Sequence, residues 1–453
     1  MSELKRGWMD VPLSKLAVVV TGSTPSTKDG NNWGGDVPFI TPGDMNHMGV
    51  TTISERAVTA QGVARGRALP EGAVLVTCIG NLGRTTLAGV PCITNQQINA
   101  IVPTGLMSSR YVAYACSAPG FQRQLREAST STTVALVNKS NFEKLTIPVA
   151  PGPEQERIVA AIEEQFSRLD AGVAVLKRVL QNLKRMRAAV YESAIAGDLT
   201  AGDEACNTAA SWNHRALGDV LVNLSAGKSF KCLERPAREG EWGVVKVSAM
   251  TWGAFREDEN KTVLPGREID ERLEIRPGDL LVSRANTLGY VGAVVLVGRC
   301  RPKLLLSDKS LRLEPTSDVL PEWLVVALRS RTVRRHIESV ATGTSDSMRN
   351  ISQPKLRALR IPVPPVTEQE SVTREVSRQL SVLDATERAV RVRLQAAYRL
   401  RSSVLSAAFS GSLVHQDASD ESASVLLERI IAGRVLAKAA RLPGTGQAVR
   451  ATA

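Results

Sequence analysis

A segment of 54 residues occurs twice in this chain, and this repeat constrains the fold more strongly than any other feature of the sequence. Residues 147–200 align without a gap with residues 361–414, at an offset of 214, and 20 of the 54 positions are identical. Unrelated segments match at only a few positions, so the chain contains an internal duplication. Each copy starts with Ile-Pro-Val and continues to a Glu-Gln-Glu triplet, which Glu154 begins in the first copy and Glu368 in the second. Prolines followed by an acidic residue predict the start of a helix.

Apolar residues recur every seven positions along both copies, with a second apolar position inside each heptad, which is typical of a coiled-coil seam. Gly197 and Gly411 are the expected C-caps. A helix of about 42 residues is roughly 63 Å long, and neither helix can bury its apolar stripe alone. We therefore predict that the two helices pair antiparallel as an intramolecular coiled coil, although Arg187 and Arg401 interrupt the pattern at equivalent positions. The predicted seam residues are Ile162, Phe166, Leu169, Val173, Leu176, Leu180, Leu183, Val190, Val376, Leu380, Leu383, Val390, Leu394 and Val404.

The sequence outside the repeats predicts two globular domains in which short strands are separated by Gly and Pro turns. Residues 108–127 and 323–340 each have the spacing of one helix. The predicted fold class is α+β, with two β-rich domains joined by two long antiparallel helices and an internal pseudo-twofold repeat. The globular parts diverge far more than the helices, which indicates a shared scaffold and two different targets. The predicted boundaries are 1–150 and 211–364 for the globular domains, 151–200 and 365–414 for the long helices, 201–210 for a linker, and 415–453 for a C-terminal helix and flexible tail.

The charge balance favours a polyanionic partner. Lys and Arg number 57 against 45 for Asp and Glu, so the formal net charge is +12 and the isoelectric point is near 9.6. Such a balance suits nucleic acid, although many soluble proteins are mildly basic. The six cysteines are scattered without a C-x-x-C pair, and the start of the chain has no signal-like apolar run. We expect neither a disulfide framework nor a zinc site, no membrane span, and a cytoplasmic location.

The sequence nominates no catalytic centre. Residues 226–229 (Ala-Gly-Lys-Ser) resemble the end of a phosphate-binding loop, but Val222 stands where the first glycine of that motif is required. The G-x-S-x-G and H-E-x-x-H motifs are missing as well. The chain therefore has the character of a non-catalytic binding and positioning protein. Two alternatives stay open: an enzyme that acts alone, and a structural adaptor in which the coiled coil joins two protein-binding domains.

The duplicated Ile-Pro-x-x-Pro-x-x-Glu-Gln-Glu motif, followed each time by a long helix and preceded by a β-rich domain, resembles the DNA-specificity (S) subunit of Type I restriction–modification systems. The resemblance covers residues 8–414 and rests mainly on residues 148–156 and 362–370. It implies that each globular part is a target-recognition domain for one half of a split, asymmetric DNA sequence. The helix pair would set the gap between the halves and dock two methyltransferase (M) subunits, and motor-nuclease (R) subunits could join. S-adenosylmethionine, ATP and Mg²⁺ would then belong to those partner subunits, and this chain would bind no cofactor.

Three polar clusters in each globular domain are candidates for the DNA contacts, because Arg, Lys, Asn and Gln can read base edges with paired hydrogen bonds. The clusters lie at equivalent positions in the two halves, which favours a common surface, although Asn, Ser and Thr are also ordinary turn and cap residues. Exposed Lys and Arg elsewhere, such as Lys28, Arg65, Arg67 and Lys228, could bind phosphates. The candidates in the clusters are Asn81, Arg84, Thr85, Gln96, Gln97, Ser131, Thr132, Thr133 and Lys139 in the first domain, and Arg284, Asn286, Thr287, Tyr290, Lys309, Arg312, Ser345, Ser347, Arg349 and Asn350 in the second.

Overall fold

The chain forms two compact units of mixed helix and strand. Unit 1 combines Met1–Val175 with Arg393–Ala453, and unit 2 consists of Leu176–Val392. The structure is a computed structural model that describes residues 5–130, 134–200, 212–251, 253–345 and 348–440. The predicted linker at 201–210 and the last part of the predicted tail lie outside these residues.

The described residues form strands and helices in an order that is similar in the two halves. In chain order they are β1 (Met9–Pro12), α1 (Leu13–Leu16), β2 (Ala17–Thr21), β3 (Trp33–Ile40), β4 (Val50–Thr51), β5 (Arg56–Val58), α2 (Ala60–Arg65), β6 (Val74–Thr77), β7 (Thr85–Ala88), β8 (Ile93–Thr94), β9 (Ile98–Pro103), α3 (Ser109–Ser117), α4 (Pro119–Glu127), α5 (Lys139–Lys144), β10 (Thr146–Val149), α6 (Gly152–Ile195), β11 (Asn213–Ala216), β12 (Leu221–Ala226), β13 (Cys232–Leu233), β14 (Gly243–Val245), β15 (Asn260–Val263), β16 (Leu280–Ser283), β17 (Ala285–Asn286), β18 (Val294–Leu296), β19 (Leu304–Leu305), β20 (Ser310–Pro315), α7 (Pro321–Arg329), α8 (Arg331–Val340), β21 (Thr342–Ser345), β22 (Met348–Asn350), α9 (Gln353–Arg357), β23 (Arg360–Val363), α10 (Val366–Phe409) and α11 (Ala423–Ala440).

Each unit contains two main sheets among its described residues. In the described part of unit 1, the larger sheet has the strand order β2-β9-β6-β7-β4 and the smaller one the order β5-β3-β8. Unit 2 has the corresponding sheets β12-β20-β16-β18 and β13-β15-β14-β19, together with a sheet of order β17-β22-β21. In unit 1, residues of the five-stranded sheet pack with α3 and α4 to form the main hydrophobic core. In unit 2, residues of the sheet that contains β12 pack with α7 and α8 in the same way.

A short antiparallel strand pair closes each globular domain at the point where its long helix begins. Strand β1 pairs with β10, with Met9 opposite Val149, and β11 pairs with β23, with Asn213 opposite Val363. The Ile-Pro-Val start of each repeat is therefore a strand that ties the beginning of the domain to its end. This pairing brings Trp8 and Trp212 to the first turns of α6 and α10.

The single helix predicted in each globular domain is wrong, because both are broken into two helices. In unit 1, Ala118 is extended between α3 and α4, since Pro119 disfavours helical geometry at the residue before it. In unit 2, Ser330 is extended between α7 and α8, and its hydroxyl caps α8 by accepting a hydrogen bond from the N–H of Val333. Apolar spacing alone did not reveal these breaks, because it continues across both of them.

The two long helices contribute a different segment to each unit. In unit 1, Phe166 of α6 lies in one hydrophobic cluster with Val404 of α10. In unit 2, Leu183 of α6 shares a cluster with Val376 and Leu383 of α10. All fourteen predicted seam residues are buried or half-buried. The heptad pattern thus marks the inward face of both helices.

The two arginines that interrupt the heptads form ion pairs between the long helices. Arg187 pairs with Asp384 inside unit 2, and Arg401 pairs with Asp170 inside unit 1. The offset of 214 residues that relates the repeats converts one pair into the other. The guanidinium of Arg401 also lies 4.8 Å from the centre of the Phe166 ring, where a cation–π attraction adds to the ion pair.

Reversing the charge of Arg401 should weaken the helix contact in unit 1. We expect Arg401→Glu to lower the thermal midpoint, and Asp170→Arg added to it to restore most of the loss. The Asp170 side chain is 63% exposed, so the coupling between the two residues should be modest, about 0.5–1 kcal/mol. A double-mutant cycle on unfolding measures this coupling. The equivalent cycle with Arg187 and Asp384 is the matched control, and additive effects in both cycles would show that the pairs do not interact.

The segment after the second repeat folds back onto unit 1. The N–H of Ala423 at the start of α11 donates to the Gly7 carbonyl at 2.9 Å, and Arg434 donates to the Ser14 carbonyl at 2.6 Å. Ile430 is buried in the main core of unit 1. The C-terminal helix therefore completes the first domain. No described helix is long and apolar enough to cross a membrane.

Candidate nucleic-acid interface

The repeated Glu-Gln pair fastens each globular domain to its long helix. The indole N–H of Trp8 donates to Glu154 at 3.0 Å, and that of Trp212 donates to Glu368 at the same distance. Both carboxylates are buried. Their role therefore exceeds the favourable placement of an acid at a helix N-terminus, because each one also accepts a buried hydrogen bond from a distant tryptophan.

The neighbouring glutamine makes an equivalent bond in both copies. The side-chain amide of Gln155 donates to the carbonyl of Ala150, and that of Gln369 donates to the carbonyl of Pro364, each at 2.8 Å. Because a buried amide must find partners, the motif fixes the angle at which the chain leaves the domain. Each globular domain, which carries one candidate interface, is thus fixed to the start of its long helix.

In unit 1, backbone hydrogen bonds bring the three predicted polar clusters together at the residue that follows β6. The N–H of Cys78 donates to the Gln97 carbonyl at 2.7 Å, and the Cys78 carbonyl accepts from the N–H of Val137 at 2.9 Å. Cys78 therefore joins the segment around Gln96 and Gln97 to the loop that precedes Lys139. The turn that carries Asn81 and Arg84 follows directly.

Unit 2 repeats this arrangement with other side chains. The N–H of Arg284 donates to the Lys309 carbonyl, and the Arg284 carbonyl accepts from the N–H of Ile351, both at 2.9 Å. The pairing of β17 with β22 then sets Asn286 opposite Arg349. Where unit 1 has a buried cysteine, unit 2 has a half-buried arginine. One backbone framework thus presents two different sets of side chains.

Several of the predicted residues are accessible on these surfaces. Among those accessible, Tyr290 is a large aromatic side chain that is 48% exposed. Some are already engaged: Lys139 forms an ion pair with Glu143 at 3.5 Å, and Gln96 accepts a hydrogen bond from Thr24 at 2.9 Å. The exposed members are Asn81, Gln96 and Lys139 in unit 1 and Thr287, Tyr290, Lys309 and Asn350 in unit 2, and the half-buried members are Arg84, Gln97, Arg284 and Arg349.

Three predicted contact residues point into the protein, and we withdraw them from the candidate interface. Thr85 is fully buried, and its hydroxyl donates to the Gly83 carbonyl at 3.1 Å. Arg312 is 13% exposed and is held by Asp279 at 2.8 Å and by two backbone carbonyls. The buried Asn286 accepts a hydrogen bond from the N–H of Thr287 and so shapes the turn. Sequence alone did not separate these residues, because polar side chains that build turns are of the same types as those that contact DNA.

Some predicted residues fall outside what the structure describes. Ser131, Thr132, Thr133 and Ser347 lie outside the described residues. Ser345 belongs to β21, where its backbone pairs with Met348. These positions stay predictions.

The predicted phosphate contacts are in part neutralised. Arg65 pairs with Asp29 at 3.0 Å, and Lys228 lies 3.6 Å from Asp270. Arg67 donates to the Thr21 carbonyl at 2.7 Å. Lys28 is exposed. Cationic groups already paired with an acid are weaker ligands for a phosphate, so Arg65 and Lys228 contribute less to DNA binding than their charge suggests.

Two side chains that the sequence did not single out hold the turns in place. The Gln122 amide donates to the Gly83 carbonyl at 2.9 Å in unit 1. Arg334 occupies the corresponding place in unit 2 and donates to the Gly289 carbonyl at 3.2 Å and to the Val291 carbonyl at 2.5 Å. Burial lowers the pKa of Arg334. In each unit, a side chain of the helix thus holds the turn by donating hydrogen bonds to its backbone carbonyls. In the sequence, only an alignment of α4 with α8, which sets Gln122 opposite Arg334, could have indicated these residues.

Comparisons with known proteins agree with this picture. Residues 5–185 match the Type I restriction modification DNA specificity domain. Over 451 residues the chain is 24% identical to the EcoKI specificity subunit of Escherichia coli K12, covering 95% of this chain and 96% of that protein. Over 462 residues it is 23% identical to the StySPI specificity subunit of Salmonella potsdam, covering 96% of this chain and 97% of that one.

The fold is similar to that of a solved structure as well. A chain from a study of complex assembly and conformational transition of the type I restriction–modification system superposes with a TM-score of 0.62. The match covers 91% of this chain and all of that chain, at 18% sequence identity. The two chains therefore share their fold.

Together, the duplicated helix scaffold and the DNA-specificity match define a DNA-recognition component of a restriction–modification system. The chain belongs to the family of Type I restriction enzyme specificity subunits. As such it is a non-catalytic part of a Type I restriction–modification system.

Proposed function

We propose that each unit of this specificity subunit reads one half of a split, asymmetric DNA sequence. The carrying observation is that three polar segments converge through equivalent backbone bonds in both units but present different side chains. Side chains that reach base edges determine the sequence that is read, whereas phosphate contacts position the protein. Two different surfaces on one framework support two unlike half-sites.

The long helices serve as the spacer between the half-sites, as an antiparallel coiled coil with pseudo-twofold symmetry. The support comes from the segments that meet in each unit, since the start of α6 shares unit 1 with the end of α10. The equivalent ion pairs of Arg187 and Arg401 agree with this alignment. The length of the helices then sets the gap: one added heptad would move the domains by roughly 10 Å, or about three base pairs.

The same helices offer two related surfaces for two methyltransferase subunits, and motor-nuclease subunits complete the restriction enzyme. S-adenosylmethionine is bound by the methyltransferase, and ATP and Mg²⁺ by the motor-nuclease. The specificity subunit contributes recognition and geometry in this arrangement. Because the substrate is the DNA of the cell and of invading phage, the complex works in the cytoplasm.

Sequencing the methylated bases of a host genome tests this proposal directly. We expect a host that expresses this chain with its methyltransferase partner to carry N6-methyladenine in a split, asymmetric sequence. The mark should vanish when the gene for this chain is deleted and the methyltransferase is kept. The purified complex should prefer DNA that contains this sequence, with an affinity that falls steeply as salt rises.

The alternatives predict other results. An unchanged methylation pattern, with the methyltransferase expressed and active, would contradict the proposal and favour a structural adaptor. Binding of S-adenosylmethionine by the isolated chain would favour an enzyme that acts alone.

A further inference from the structure

Unit 1 has an open cleft of about 490 Å³ beside the turn that follows β6. The cleft lies between this turn, one side of α4 and the side of α10. It therefore adjoins the proposed base-reading surface and is continuous with the helix scaffold. Its lining includes His47, Asn81, Arg84, Gln122, Arg126 and Ser402.

The cleft carries positive charge. One terminal nitrogen of Arg84 donates a hydrogen bond to the Met45 carbonyl at 2.5 Å. The Nε of Arg84 is buried and has no hydrogen-bond partner among the described residues. Arg126 is exposed at the rim. None of the described lining residues is acidic. Burial lowers the pKa of His47, and the positive charges of Arg84 and Arg401 lower it further.

Unit 2 carries larger side chains at two of the corresponding helix positions. At the position of Ser117, the end of α7 carries Arg329, whose guanidinium donates to the carbonyls of Val294 and Gly253 and to the hydroxyl of Tyr191. At the position of Gln122 stands Arg334, which is held by the turn carbonyls. The arginines of unit 2 are thus used internally, while the smaller side chains of unit 1 leave room.

A phosphodiester fits the chemistry of the open cleft. A phosphate offers unshared acceptor oxygens and negative charge, and the cleft offers guanidinium donors beside the polar side chain of Asn81. DNA placed against the turn brings its backbone within reach of the rim. We infer that the cleft bordered by Arg84 and Arg126 binds a phosphate of the DNA backbone, so that unit 1 makes an anchoring contact that unit 2 lacks. This inference rests on the proposed function of unit 1.

The test is the salt dependence of DNA binding by the complex of this chain with its methyltransferase. For Arg126→Gln we expect several-fold weaker binding at low salt and a slope of log K against log salt that is smaller in magnitude by about 0.9, the value for one lost phosphate contact on B-DNA. The preferred sequence should stay the same, because a phosphate contact carries no base information. Arg126→Lys keeps the charge and should retain the slope.

Arg123→Gln is the matched control, because Arg123 is also an exposed arginine of α4 but does not line the cleft. It should leave the slope unchanged. An unchanged slope for Arg126→Gln, or an equal loss in both variants, would overturn the inference. Weaker assembly with the methyltransferase at unchanged DNA affinity would also overturn it, in favour of an acidic side chain of that partner. If the wild-type complex showed no sequence preference, the proposed function itself would fail, which is a distinguishable result.

Discussion

Replacing residues 211–364 with the equivalent domain of a relative that recognises another sequence is expected to change one half of the methylated sequence and leave the other half intact. The physical reason is that the globular domain of unit 2 has its own hydrophobic core and its own convergent polar surface. Methylation sequencing of a host that carries the hybrid chain measures the outcome. The gap between the halves should stay the same, because both long helices are retained.

The design must preserve the fastening of the domain to its helix. Trp212 lies inside the exchanged segment and Glu368 outside it, so the donor domain needs a tryptophan at that position. The reciprocal exchange of residues 1–150 is the control and should change the opposite half. A hybrid that alters both halves together would show that the two domains do not read DNA independently.

Trp8→Ala should produce the largest loss of stability among single changes in unit 1. Trp8 is buried and donates to the buried Glu154 carboxylate, so the change removes a large core side chain and leaves that carboxylate with a weaker set of partners. Loss of a buried tryptophan costs about 3–5 kcal/mol. Hydrogen exchange measured by mass spectrometry should show faster exchange in β1, β10 and the first turns of α6.

Two variants make this experiment specific. Trp8→Phe keeps most of the apolar contact and should cost about 1–3 kcal/mol, chiefly through the missing donor for Glu154. Trp212→Ala makes the equivalent change in unit 2 and should raise exchange there. Equal effects of Trp8→Ala on both units would contradict a role confined to the first domain.

The repeats were the part of the fold that sequence reasoning reached most directly. Their heptads identified the inward face of α6 and α10, because a seam of apolar residues leaves a periodic signal that needs no knowledge of the partner. The α+β class followed from turn-bounded strands between helical stretches, and the similarity to a solved fold agrees with it. The breaks at Ala118 and Ser330 were missed because apolar periodicity continues through them.

The candidate interface was harder to derive. The three clusters were found from their polar composition, but their convergence at Cys78 and Arg284 depends on backbone hydrogen bonds between distant segments. Composition also could not show that Thr85 and Arg312 are used internally. The partners of Arg187 and Arg401 were equally hidden, since an interrupted heptad gives no indication of which acid on the other helix will meet it.

The division of the chain between the units has a consequence for the order of folding during synthesis. Unit 2 is one continuous segment, Leu176–Val392, whereas unit 1 also needs the end of α10 to cover Phe166 and α11 to supply Ile430 to its core. Domains tend to fold as the ribosome delivers them, from the N-terminus onward. Here the domain that is made first can finish folding only after α10 and α11 have left the ribosome. A chain that stopped shortly after Val392 would carry a complete second unit and a first unit in which the apolar face of α6 is uncovered.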